Sequence, residues 1–287
     1  MIKLWQQDTY PASKKAARTM RFIYHKLTIN IRHKHPTFEL SKAMKNFERE
    51  NSVDLIKWIA LITMIIDHSW YILTPDLQEP FRWMRTIGRL AFPLFCLAIA
   101  ANAYRQPIGY SGGLKYLGGI LLFALISQQP YSRFFESNYL NILFTLGLGL
   151  VIAQAVHHRT PSLITAGVVA LAVAAAYRPI LSYGLAGVLL PTALLAALQA
   201  RVIETRIVTW STAALIAVLA NTGAGIMLLP DLPARALASI SAAALAPLLG
   251  LALLQFRLRS IRPVGTWMYP IYPIHMLLLN SLSITWA

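Results

Sequence analysis

Apolar residues collect into runs of roughly 17 to 22, interrupted by short polar connections, at about 54–73, 87–104, 113–130, 139–156, 162–177, 181–199, 206–221, 235–256 and 264–286. A helix needs runs of that length to cross hydrocarbon, because every backbone N–H and C=O must there be bonded within the segment. The pattern predicts an all-α, polytopic integral membrane bundle of about nine transmembrane helices, eight to ten at the limits, forming one domain over 51–287. The stretch 222–234 contains Pro230 and Pro233 and leaves the count open by one. Spans five to eight are rich in Ala and Leu, lack internal ionisable residues and read as scaffold.

Composition agrees with the pattern. The chain is 56% hydrophobic and 13% charged with mean hydropathy +0.54, whereas about a quarter of a soluble domain is charged. A net charge of +15 in a soluble protein would point to nucleic acid; the placement of the charge points elsewhere. Eleven of the 26 Lys and Arg residues precede the first span, in residues 1–50, which predicts a cytoplasmic N-terminus. The connections alternate accordingly. Those after even-numbered spans carry Arg105 and Lys115, then Arg159, then Arg201 and Arg206, then Arg257, Arg259 and Arg262. Those after odd-numbered spans carry Arg82, Arg85, Arg133, Arg178 and Arg235, diluted by Asp76, Glu79, Glu136 and Asp231.

Within 1–50, Ala16, Met20, Ile23 and Leu27 recur at helical spacing among basic residues. That suits an amphipathic helix on anionic inner-leaflet lipid, and a solvated basic tail fits equally well. There is no N-terminal apolar run, so the first span is expected to act as the insertion signal. The single Cys96 rules out an internal disulfide and a cysteine metal cluster, and its mid-span position reads as a small buried hydrophobe. His157 and His158 have no carboxylate nearby in sequence and read as solvated loop residues; no metal is expected.

The stretch KWIALITMIIDHSW, residues 57–70, departs from this plain reading. It holds three ionisable groups in a lipid-suited run, each costly in hydrocarbon unless paired or solvated. Eleven residues of helix return to within roughly 20° of the start, so Lys57 and His68 share one face about 16 Å apart along the axis. Lys57 sits near enough to the interface to snorkel or to pair with Asp54. Arg89, in IGRLAFPLF, lies at a depth that suits an ion pair with Asp67 beside His68. A purely structural pair is the alternative. Further polar groups gather at similar depth: Gln128, Gln129 and Tyr131 in ISQQPY, Asn141 in YLNILF, Tyr183 in SYGLAG, and His275 in MYPIYPIH, where Pro270 and Pro273 are expected to free backbone carbonyls. Each also suits simple helix bonding; together they outline a polar cavity opening outward.

The stretches DLIKWIALITMIIDH, IGRLAFPLFCLAIAANAYR, LLFALISQQPY, LNILFTLGLGL, YGLAGVLL and MYPIYPIHMLLL, over about 54–280, resemble the TraX family, the bacterial inner-membrane acetylases that modify the pilin of F-type conjugation systems. The basic 1–50 segment looks like an addition to the usual family plan. A basic residue, ten others and a histidine on the first helix is also similar to the membrane acyltransferase superfamily that decorates surface sugars; Lys57 stands where arginine is usual, and as a point charge it lacks arginine's bidentate fork. The resemblance implies an acetyl-CoA donor and a pilin acceptor. On that basis Lys57, Arg105 and Lys115 are expected to hold the donor's phosphates. His68 is expected to be the base, Asp67 and Arg89 to act beside it, and Gln128, Gln129, Tyr131, Asn141, Tyr183 and His275 to line the acceptor side. Acylation of a periplasmic sugar or lipid hydroxyl, and a non-catalytic pilin chaperone or transporter, are the competing readings.

Overall fold

In a computed structural model, the described residues are 36–106, 111–222, 233–256 and 261–286. The chain divides into two units, Met1–Phe47 and Glu48–Ala287, and the second carries the apolar helices. The expected amphipathic helix over 16–27 and most of the ambiguous 222–234 stretch lie outside the described residues.

The described residues are mostly helical. Helix α1 (Pro36–Ser69) runs on through a 3-10 turn (Trp70–Ile72) to the short α2 (Pro75–Gln78) and α3 (Trp83–Gly88). After these come α4 (Ala91–Arg105), α5 (Ser111–Phe135), α6 (Ile142–His158), α7 (Pro161–Ala176), α8 (Gly184–Gln199), α9 (Ile203–Thr222), α10 (Ala234–Leu253) and α11 (Met268–Trp286). Among the described residues the nine helices of fifteen residues or more coincide with the nine apolar runs. Among the described residues four stretches are long and apolar enough to cross a membrane: Asn51–Ile72, Trp83–Arg105, Ile203–Thr222 and Ala234–Leu253. α6, α7 and α8 are apolar and shorter.

Local chemistry sets the helix ends. Asn141 caps α6 through its side-chain oxygen, which accepts from the Leu143 N–H at 3.0 Å. Arg159 closes the helix in the left-handed conformation, and Thr160 then caps α7 with Pro161 at its first position. His157 and His158 belong to the last turn of α6, not to the loop expected from sequence. Pro270 and Pro273 both fall inside the observed α11; Pro273 stands in its interior without ending it.

α4 is the centre of the bundle. It packs against α6, α8 and α10, and eleven of its fifteen residues are buried, Cys96 among them. Small residues let neighbours close in: a Cβ on Gly149 would lie 2.8 Å from the Val188 carbonyl and Pro191 of α8, and one on Gly250 would strike Leu97 of α4. Ile164, Val168 and Val169 of α7 and Ile207, Val208 and Leu215 of α9 are exposed instead. In water such surface would be a liability; against acyl chains it is the natural outer face.

The two connections beside the site are pinned together. Leu140 bridges Leu181 in parallel fashion, Thr145 donates to the Ser182 carbonyl at 2.6 Å, and Tyr131 and Ser182 share a hydrogen bond of 3.1 Å. Tyr183 then takes a left-handed backbone (φ 65°) and stacks on Phe92, centroids 3.8 Å apart. A non-glycine residue held there stores strain that the surrounding packing must offset.

Candidate functional site

A cavity of about 340 Å³ opens beside the C-terminal half of α1, lined among others by Asp67, His68, Arg85, Arg89, Tyr131 and Tyr183. Asp67 and His68 leave the helix in different directions, as consecutive residues must. The Asp67 carboxylate accepts from Arg85 Nη1 at 2.7 Å. The His68 ring instead meets His275 of α11 in a nearly coplanar pair, interplanar angle 13°, with Nδ1 of His68 2.7 Å from Nε2 of His275. Phe134 and Phe135 flank the same imidazole.

Hydrogen-bond logic assigns the protons. Nδ1 of His275 lies 2.9 Å from the Ile271 carbonyl. A carbonyl only accepts, so that nitrogen carries the hydrogen, and in neutral His275 Nε2 is the acceptor. Nδ1 of His68 therefore donates to it, and in a neutral ring the lone pair falls on Nε2 of His68. Ile271, His275 and His68 form a relay whose far end is a basic nitrogen on a cavity-lining residue.

The partner of Asp67 is Arg85, one turn before the expected Arg89. α3 ends at Gly88, and Arg89 and Leu90, both in right-handed helical backbone, join it to α4. The Arg85 guanidinium also lies over the rings of Tyr71 (4.6 Å) and Trp70 (5.5 Å). Gly88 is needed at this spot, because a Cβ there would run into the Asp67 carboxylate. Gly88→Ala is expected to push Asp67 off Arg85, with a cost of about 1–3 kcal/mol in stability, the range for overpacking a tight site; unfolding in detergent checks it. Freed from Asp67, Arg89 still lines the cavity, and its buried Nε has no hydrogen-bond partner among the described residues.

Lys57 pairs with Asp54 at 3.0 Å and donates to the Val264 carbonyl at 3.3 Å, which engages two of its three hydrogens. It lines a second, apolar pocket of about 80 Å³. Met64, Phe95, Ile142 and Tyr272 belong to the walls of both pockets, so a partition of four side chains stands between the Lys57 end and the His68 end.

The remaining expected residues separate into groups. Tyr131 and Tyr183 line the His68 cavity. Gln128 and Asn141 bond each other and the backbone: fully buried Asn141 donates to the Ala124 carbonyl at 2.7 Å and to Gln128 at 3.0 Å, and Gln128 donates to the Tyr139 carbonyl at 2.9 Å. They clamp α5 to α6 and are not among the cavity-lining residues. Gln129 lines a different groove, between α5 and α11. Arg105 lines a third cavity, whose lining does not include Lys57, and Lys115 is exposed. Among the described residues no group of three His, Cys, Asp or Glu side chains is placed to hold a metal ion.

Sequence reasoning missed Arg85 and the role of His275. Arg85 carried a signal, a basic residue one turn from Arg89. The junction of His68 with His275, 207 positions apart, carried none.

The TraX protein family matches residues 52–283. The chain belongs to that family. All three members of the relay, and the Asp67–Arg85 pair, fall inside the matched region. Over 109 residues it is 33% identical to the "Probable fimbrial assembly protein FimC, serogroup H1" of Dichelobacter nodosus, a match covering 33% of this chain and 43% of that protein. Over 103 residues it is 42% identical to the "Uncharacterized protein RP591" of Rickettsia prowazekii (strain Madrid E), covering 35% and 36%. The matched stretches thus span less than half the length of these curated relatives. No solved structure matches the chain. Family and apolar helices together make this TraX member a membrane protein.

Proposed function

We propose that this TraX-family protein is a multi-pass acetyltransferase of the bacterial inner membrane that moves an acetyl group from cytoplasmic acetyl-CoA to the N-terminal amine of a pilin subunit. In this reading all nine long helices cross the membrane and the N-terminus is cytoplasmic. The family supports a pilus-related role, as does the fimbrial-assembly name of one relative. The observation that carries the chemistry is the unprotonated Nε2 of His68, held in one tautomer by His275, on a residue lining a cavity that Arg89, with its buried and unpartnered Nε–H, lines too.

The reaction then runs on this chain's own groups. Nε2 of His68 takes a proton from the acceptor amine as its nitrogen attacks the thioester carbon. The carbonyl oxygen becomes an oxyanion beside the Arg89 Nε–H, a donor with no competing partner to displace. As the intermediate collapses, the C–S bond breaks and His68 returns its proton to the leaving thiolate, giving N-acetylated pilin and free CoA. His275 stabilises the imidazolium by accepting from its Nδ1–H throughout. The donor's phosphates stay at the Lys57 end, and the partition of Met64, Phe95, Ile142 and Tyr272 must part to admit the thioester arm.

Intact mass of a co-produced pilin, with and without this protein, tests the proposal: one added acetyl group at the N-terminus supports it, and an unmodified pilin in both samples defeats it. Within the same reading, Lys57→Ala is expected to raise the KM for acetyl-CoA about tenfold, the equivalent of ~1.4 kcal/mol of ground-state binding, while kcat holds. Steady-state kinetics with varied donor measure this, and an unchanged KM would assign Lys57 to the Asp54 pair alone.

A further inference from the structure

A cavity of about 170 Å³ lies apart from the His68 site, where the C-terminal ends of α4, α8 and α10 meet the start of α9. Its character is divided. Arg105 and Arg206 stand among its lining residues, and among the described residues neither has a carboxylate partner. Leu198, Leu251 and Leu254 supply apolar wall. Trp210 also lines it, and its indole nitrogen is buried with no hydrogen-bond acceptor among the described residues. An indole N–H only donates, so its burial there leaves a donor waiting for an acceptor.

Two guanidinium groups, a donor-only indole and a greasy wall are complementary to one chemistry: an anionic phosphate ester joined to an apolar body. Arginine forks suit phosphate oxygens, and indole rings favour sites with one apolar and one polar side. We infer that this cavity binds the phosphodiester of an anionic phospholipid, whose oxygens accept from Arg105, Arg206 and the Trp210 indole while its glycerol and first methylenes cover the leucines. Free carboxylates of a protein partner would satisfy the cations but leave the leucine wall bare. The phosphates of a CoA molecule are the other source of the same chemistry.

The test uses the full-length protein purified in neutral detergent and native mass spectrometry with four probes: phosphatidylglycerol, phosphatidylcholine, CoA and inorganic phosphate. Phosphatidylglycerol is expected to bind at least tenfold more tightly than phosphatidylcholine, and both Arg206→Gln and Trp210→Phe are expected to weaken it by tenfold or more, with Arg159→Gln as a surface-charge control. Trp210→Phe removes the N–H and little volume, so it remains informative if the arginine variant fails to fold. If CoA binds with the same sensitivity to these two variants and phosphatidylglycerol does not, the phosphate site stands and the donor is its source. Equal binding of the anionic and zwitterionic lipids with no CoA binding, or full retention of lipid in both variants, would overturn the inference.

Discussion

His68→Ala is expected to slow the proposed acetyl transfer by a factor of about 10²–10⁴, the range for loss of a general base, while the protein still inserts. The side chain is partly buried and its described hydrogen bond goes to His275, so its removal strips out the proposed base and leaves the helix packing largely intact. His275→Gln refines the same experiment. The amide still reaches toward His68 but does not secure its tautomer as imidazole does, so a smaller loss is expected, together with a shifted pH profile of kcat. A histidine serving only to pack would leave that profile unmoved. Rates are measured in membranes normalised to the amount of folded protein; His68→Ala activity within twofold of the natural protein would remove the imidazole from the mechanism.

The second large effect falls on stability. Removing one partner of a buried ion pair leaves the other charge uncompensated, at about 3–5 kcal/mol when fully buried. Here the side chains of Arg85 and Asp67 are 22% and 18% exposed, so Arg85→Met is expected to cost about 2–4 kcal/mol. Asp67→Leu leaves Arg85, among the described residues, with the rings of Tyr71 and Trp70 in place of a carboxylate and should fall in the same range. The double variant should recover much of the loss, because both charges leave together. Detergent or denaturant unfolding of the four proteins closes the cycle. Arg89→Met separates the two arginines, with an expected loss of turnover and little change in unfolding. An absence of coupling between Asp67 and Arg85 would show that their contact carries no stability.

The contrast between Arg85 and Arg89 shows where reading from sequence stops. The nine helices, the burial of Cys96 and the divergence of Asp67 from His68 come from apolar run length and the 3.6-residue period, which are local properties of the chain. Asp67 pairs with Arg85 and not with Arg89, one turn further on, because which of two such cations reaches a carboxylate on another helix depends on how the helices sit together, and no run of apolar residues records that. Gln128 and Asn141 were legible as polar residues at the depth of the site, but whether such groups face a cavity or one another depends on the neighbouring helix.

By itself the sequence determined a helical membrane protein, its apolar helices, the TraX resemblance, and a first helix with a cation at one end and an imidazole toward the other, since all of these are written in composition, period and motif. Only the tertiary structure decided that His275 reaches His68 and sets its proton, that Arg85 takes Asp67 and leaves the Arg89 Nε–H uncommitted, and that a partition divides the two pockets. Those outcomes depend on how separate helices are rotated and brought together, through contacts between residues far apart in the chain, and no local pattern encodes that.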